Sequence, residues 1–174
     1  MRQEDAAGLF SRHNLSVFRF LRRLVGSSDR AEEMTQEVFV RVVHALPGYE
    51  ARDRERAWIF QIARTVFLDD KRRRLVRVPD SAAQDLVPAP PARPLQPLRA
   101  ELEEALGMLP ELEREAFLAK ELGGLTYEEI AATVDSTPDA VRSRIFRARC
   151  ALRKHLAPSA MQAGARGRRE VGHE

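Results

Sequence analysis

Arg142, Ser143, Phe146 and Arg147 fall on one face of a helix-forming stretch, "TPDAVRSRIFRAR" (137–149). Guanidinium groups reach phosphates and guanine edges, a hydroxyl bonds a base, and a phenyl ring meets a thymine methyl. A solvated face accepts arginine but gains nothing from an outward phenylalanine. This combination therefore points to a surface that reads duplex nucleic acid. Arg144 adds a further cation on the same helix. Lys120 and Thr126 lie just upstream, where they would meet the backbone of a docked duplex.

A second set suits unstacked bases. Tyr49 and Trp58 offer stacking surfaces, Gln61 and Thr65 form a narrow polar strip, and Arg72 and Arg73 open a basic run. Aromatic stacking with flanking cations is how single strands are held. On spacing alone, an edge tryptophan also suits ordinary packing. A third set, Glu33, Gln36 and Glu37, lies in the first half of a helix, where carboxylates either answer the helix dipole or form a docking face.

Catalytic chemistry is poorly provided for. Asp69 and Asp70 are the only carboxylate pair beside a basic cluster, and adjacent helical residues point about 100° apart. A nuclease reading therefore has little to stand on. His13, His44, His155 and His173 show no ligand spacing, so no metal or other cofactor is expected. The single cysteine, Cys150, excludes an internal disulfide and fits a reducing, cytoplasmic setting. No apolar run approaches a membrane span, and the first residues lack the apolar core of a signal peptide.

The elements that must position these groups are helical. Thr137 is a good N-cap and Pro138 fits the first helical position. Val141, Ile145, Ala148 and Leu152 then share the face opposite Phe146. Upstream, "LTYEEIAATVDS" carries a capping box at Thr126 and Glu129, with Ile130 and Val134 facing inward. Helix, three-residue break and longer basic helix make a helix-turn-helix, whose second helix enters the major groove. Pro110 opens an earlier helix containing Leu112, Ala116, Phe117 and Ala119. Before it, Leu102, Ala105, Leu106 and Leu109 suggest another.

The N-terminal part reads as three helices. Phe10, Val17, Leu21 and Leu24 form an apolar stripe ending at Gly26. Asp29, with Glu32 at capping-box spacing, caps the next helix, lined by Met34, Val38, Val42 and Leu46. The third starts near Arg56 with a broad apolar arc. Residues 79–97 hold six of the ten prolines, which marks an extended linker. The fold class is therefore all-α, with two small helical domains joined by a Pro-rich linker. The expected divisions are 1–78, 79–98 and 99–156, with a disordered tail over 157–174. The net charge of +3 is modest, but six basic residues and one acidic residue lie between Pro138 and Lys154. Clustered rather than net charge is the electrostatic footprint of a nucleic-acid surface.

Three segments in order, "DRAEEMTQEVFVRVVHAL" (29–46), "RAWIFQIARTVFLDDKRRR" (56–74) and "LPELEREAFLAKELGGLTYEEIAATVDSTPDAVRSRIFRARCALRK" (109–154), resemble the small two-domain ECF (extracytoplasmic-function) sigma factors of bacterial RNA polymerase. The resemblance spans residues 9–156. It implies a non-catalytic subunit that binds core RNA polymerase and promoter DNA and assists melting. Polymerase docking would fall on Glu33, Gln36 and Glu37, within "EMTQE". Recognition of the −10 element would fall on the loop 47–57, Tyr49, Trp58, Gln61, Thr65, Arg72 and Arg73. Recognition of the −35 element would fall on Lys120, Thr126, Arg142, Ser143, Arg144, Phe146 and Arg147. An anti-sigma factor is an implied partner. Two departures stand out: Thr65 replaces a frequent asparagine, and Glu33 replaces the usual aspartate. The competing reading is a polymerase-independent helix-turn-helix regulator with a helical sensor domain, although neither a ligand pocket nor a phospho-acceptor strand is visible for it.

Overall fold

Apolar residues at helical spacing, interrupted by glycine, proline and hydroxyl caps, produce helices and short turns. A computed structural model describes residues 2–50, 54–77 and 96–166, and no strand occurs among them. The helices are α1 (Arg2–Val25), α2 (Ser28–Ala45), α3 (Glu55–Arg77), α4 (Gln96–Gly107), α5 (Glu111–Glu121), α6 (Tyr127–Thr133) and α7 (Pro138–Arg166), with a 3-10 turn at Leu46–Gly48.

The α1–α3 half forms around Val17, Phe20 and Leu21 of α1, Met34, Val38 and Val42 of α2, and Ile59, Phe60, Ala63 and Val66 of α3, all buried. Two details differ from the sequence reading. Leu9, not Phe10, enters the core. Phe10 is 47% exposed and packs edge-on against Phe39 at 4.9 Å. The cap of α2 is Ser27, whose hydroxyl accepts from the Arg30 N–H, so the helix begins ahead of Asp29. Gly26 closes α1 at φ +75, a conformation that a side chain would strain.

In the second half, Val141, Ile145, Ala148 and Leu152 of α7 are all buried, as their spacing predicts. The Thr126–Glu129 capping box forms in both directions. Thr137 accepts from the Ala140 N–H at 3.2 Å, and Asp135 turns the chain at φ 50. Pro110 is the N-cap of α5 rather than its first residue. Leu112 is exposed and Phe117 half-buried, so the buried face of α5 consists of Glu115, Ala116, Leu118 and Ala119. Helix α7 runs to Arg166, into the segment 157–174 expected from the sequence to be a disordered tail. Residues 78–95, which hold most of the expected linker, and 167–174, the end of the expected tail, lie outside the described residues.

The two halves share one hydrophobic cluster. Phe60 explains the join. Its ring meets Phe20 edge-on at 5.2 Å within the first half and lies against Gly123 of the second. A Cβ at Gly123 would fall 2.9 Å from that ring and 2.5 Å from the Ala119 carbonyl oxygen. Glycine is what allows this approach. Beside it, Arg64 of α3 is bonded to the carboxylate of Glu115, which is only 2% exposed. Burial pushes that carboxyl above its ordinary value, and Arg64 opposes the shift.

Candidate nucleic-acid interface

Helix α7 is clamped along its inner face by α4, α5 and α6. Its outer face is consequently fixed in direction. Arg142, Ser143, Phe146 and Arg147 together line one shallow concavity there. Phe146 is 66% exposed, a conspicuous position for a phenyl ring. Arg147 bonds Glu113 at 2.6 Å, and Arg142 bonds Asp139 at 2.9 Å. Both pairs are exposed on the arginine side, so each guanidinium can be recruited by a phosphate or base at modest cost. Arg144 departs from the set. It is half-buried on the flank of α7, where its charge acts on Glu115.

Lys120 and Thr126 hold the turn unit in shape. The Lys120 ammonium donates to the Leu125 carbonyl at 2.9 Å and lies 5.0 Å from the centre of the Tyr127 ring. The Arg142 guanidinium approaches the same ring at 5.2 Å. Tyr127 therefore couples the lysine before the turn to the first arginine of α7, a link that sequence spacing alone does not reveal.

The α3 surface differs in character. Tyr49 and Trp58 stack on each other, with ring centres 4.1 Å apart and planes 19° from parallel. One face of Trp58 is thus already covered. Gln61 and Thr65 are exposed, and the Thr65 hydroxyl donates back to the Gln61 carbonyl at 3.0 Å. Trp58 and Gln61 border a cleft of about 320 Å3 whose opposite wall carries Thr126, Glu128 and Glu129. Thr126, grouped by sequence with the α7 surface, also borders the α3 strip. Arg72 and Arg73 are exposed further along α3, with Arg72 3.6 Å from Asp69. Residues 51–53 of the preceding loop lie outside the described residues.

On α2, Glu33 and Gln36 are exposed. Glu37 is tied to Arg41 at 2.7 Å, and Arg41 also bonds Asp69 of α3 at 2.9 Å. These hydrogen bonds raise the Arg41 pKa and fix the orientation of Glu37. Asp70 bonds Arg30 at 2.5 Å. Asp69 and Asp70 thus brace α2 against α3, and among the described residues no group of acidic, histidine or cysteine side chains could hold a metal.

Residues 9–75 match the family model for Sigma-70 region 2, and residues 99–152 match that for Sigma-70, region 4. The ECF RNA polymerase sigma-E factor of Escherichia coli is 32% identical over 168 residues, spanning 86% of this chain and 85% of the relative. The chain belongs to the ECF sigma factors. SigE of Mycolicibacterium smegmatis is 38% identical over 158 residues; that match takes in 86% of this chain but only 60% of SigE. The sigma factor RpoE of Bartonella quintana, solved in complex with the anti-sigma factor NepR, superposes with a TM-score of 0.71 at 25% identity. It covers 88% of this chain and 98% of that one.

Within this ECF sigma factor, the α3 strip belongs to the region 2 match and the α7 surface to the region 4 match. Sequence reasoning missed the contact between the two regions. Glu115 is one of four glutamates in α5 and Arg64 one of several arginines in α3, and nothing local signals that these two meet. No helix among the described residues is long and apolar enough to cross a membrane.

Proposed function

We infer that this chain directs core RNA polymerase to promoters through two separate DNA contacts. The outward Arg142–Ser143–Phe146–Arg147 face of α7 carries this reading. Its position on the second helix of a helix-turn-helix suits the major groove of a −35 duplex. Trp58, Gln61 and Thr65 supply the −10 surface, with Tyr49 as the stacking neighbour and Arg72 and Arg73 for the strand backbone. Flipping a base costs a few kcal/mol, and this pocket must repay it. The exposed side of α2, with Glu33, Gln36 and Glu37, is the polymerase dock.

The functional divisions are 1–78 for docking and melting, 79–98 as connector and 99–156 for −35 recognition. The chain acts in the cytoplasm without catalytic residues of its own, and nucleotidyl transfer belongs to the polymerase. A solved relative is held by an anti-sigma factor. The shared core of the two halves favours a comparable inhibitor here, one that covers both.

Sequence selection from a randomised duplex library tests this reading, with and without core polymerase. Two enriched blocks at fixed spacing, dependent on polymerase, are expected. One enriched block independent of polymerase would instead support the helix-turn-helix regulator.

A further inference from the structure

Arg142, Arg147 and Arg149 of α7 are each paired with a carboxylate, and the pairs differ in the nitrogen they use. Arg142 donates to Asp139 from a terminal nitrogen at 2.9 Å, and Arg149 donates to Glu121 from a terminal nitrogen at 2.6 Å. Arg147 instead donates from Nε, 2.6 Å from an oxygen of Glu113. The partners differ as well. The Asp139 side chain is 90% exposed, whereas that of Glu113 is only 15% exposed. Glu113 sits in the first turn of α5, where its N–H donates to the Pro110 carbonyl at 3.0 Å and the helix dipole favours a negative charge. Because α5 packs along α7, that carboxylate holds a fixed place beside Arg147. Glu113 does not line the concavity of Arg142, Ser143, Phe146 and Arg147, so it acts on that surface through Arg147.

The nitrogen used decides what is left over. A guanidinium carries its donors in a rigid, planar fork. With Nε occupied, both terminal nitrogens of Arg147 stay free, and no other group among the described residues bonds this side chain. In the major groove a guanine presents O6 and N7 on one edge, the pair of acceptors that such a fork matches. Arg142 and Arg149 draw on a terminal nitrogen for their carboxylates, the part of the group that the fork needs. Charge adds to the effect. Glu113 offsets the pull of Arg147 toward any phosphate while leaving its donors aimed. Uncompensated cations give affinity without sequence preference, and directed donors to base edges give discrimination. An arginine ordered before binding also loses less freedom when it binds.

We propose that Glu113 is a positioning residue for −35 recognition. It holds Arg147 by Nε and aims the terminal fork at a guanine of the −35 duplex. This rests on the assignment of the α7 face to that duplex.

The test measures binding of the full chain to the selected −35 duplex and to a scrambled duplex, by fluorescence anisotropy at several salt concentrations. Each guanine of the −35 block is replaced in turn by 7-deazaguanine, which lacks the N7 acceptor. Replacement at one guanine should weaken binding of the parent about tenfold and should cost Arg147→Ala nothing further. Glu113→Leu should cut that penalty to less than about threefold while binding the scrambled duplex more tightly, with a steeper salt dependence. Glu113→Gln keeps an acceptor of the same reach, so it should retain the penalty and still gain on the scrambled duplex. Glu113→Ala serves in place of Glu113→Leu should that variant fail to fold. A penalty lost in Arg147→Ala but kept in Glu113→Leu would overturn the proposal and leave the −35 assignment standing. So would a selected block without guanine, or a parent indifferent to every replacement. An equal gain on both duplexes would make Glu113 a counter-charge alone and overturn it too. A parent with no preference for the −35 duplex would remove the −35 assignment, and the proposal with it.

Discussion

The α7 surface and the α3 surface are both basic, both include an aromatic ring, and both belong to one DNA-binding protein. They are presented differently. Phe146 stands open on a face that, among the described residues, has no opposing wall. Trp58 is half-buried, stacked by Tyr49, and set across a cleft from Glu128 and Glu129. A single strand entering that cleft would bring its phosphates toward two carboxylates. On the proposed assignment, the −35 surface is available in this arrangement, the −10 surface is shielded by the other half, and promoter opening would require the halves to part against the Arg64–Glu115 pair and the Phe60–Gly123 contact.

The largest expected effect comes from breaking the buried pair. Arg64→Ala leaves Glu115 without its cation, a loss that costs about 3–5 kcal/mol where a charge stays buried. Separation of the halves relieves that cost by hydrating the carboxylate. Trp58 is the only tryptophan, so its emission reports the change. The variant should show red-shifted emission and greater acrylamide quenching than the parent. Unchanged Trp58 emission with the variant folded would mean the pair does not hold the cleft shut.

On the open side, Arg147→Ala should weaken binding to a −35 duplex by about 1–3 kcal/mol, measured by fluorescence anisotropy. Trp58 emission should not change. Full affinity would remove Arg147 from the reading face. Trp58→Ala should do the converse, retaining duplex affinity while permanganate reactivity of promoter thymines falls. Equal reactivity in variant and parent would leave Trp58 as packing alone.

Glu37→Lys probes the third surface. It reverses a charge held by Arg41 and should reduce holoenzyme formation in a core-polymerase titration. Normal assembly would move the dock away from α2.

The smallest effect is in pH dependence. Burial raises the Glu115 pKa despite Arg64, so just above the ordinary 4.5 the folded chain retains a proton that the unfolded chain has lost. Stability from this group therefore falls as pH rises through that interval. Glu55 runs the other way. Burial would raise its pKa, but hydrogen bonds from Arg12 and His13 outweigh burial and lower it. Its stabilisation is present above 4.5 and lost as pH falls through the folded value. Glu115→Gln should remove the first slope and keep the second in thermal melts across pH 4 to 7. Persistence of both slopes would assign the first to another group.

The two surfaces were unequally legible in sequence for a physical reason. Val141, Ile145, Ala148 and Leu152 repeat at helical spacing, so the direction of Phe146 and Arg147 followed from local periodicity. Thr126 and Glu129 announced their capping box in the same way. The shielding of Trp58 depends instead on residues about fifty or more positions apart. Arg64 with Glu115 and Phe60 with Gly123 are tertiary pairs, and each member alone reads as a surface charge, a core ring or a turn glycine. Arg144 is half-buried because it lies on the flank of α7, within one residue step of the outward face. Ser27 was overlooked because Asp29 and Glu32 offered an equally good cap on paper.

Run-off transcription with purified core polymerase, with and without this protein, tests the central claim most directly. A template library drawn from the selected two-block sequences supplies the promoters. Transcripts that start at fixed positions downstream of both blocks, and only when the protein is added, are the predicted result. Absence of any protein-dependent transcript from templates that the protein and polymerase together bind would contradict the account.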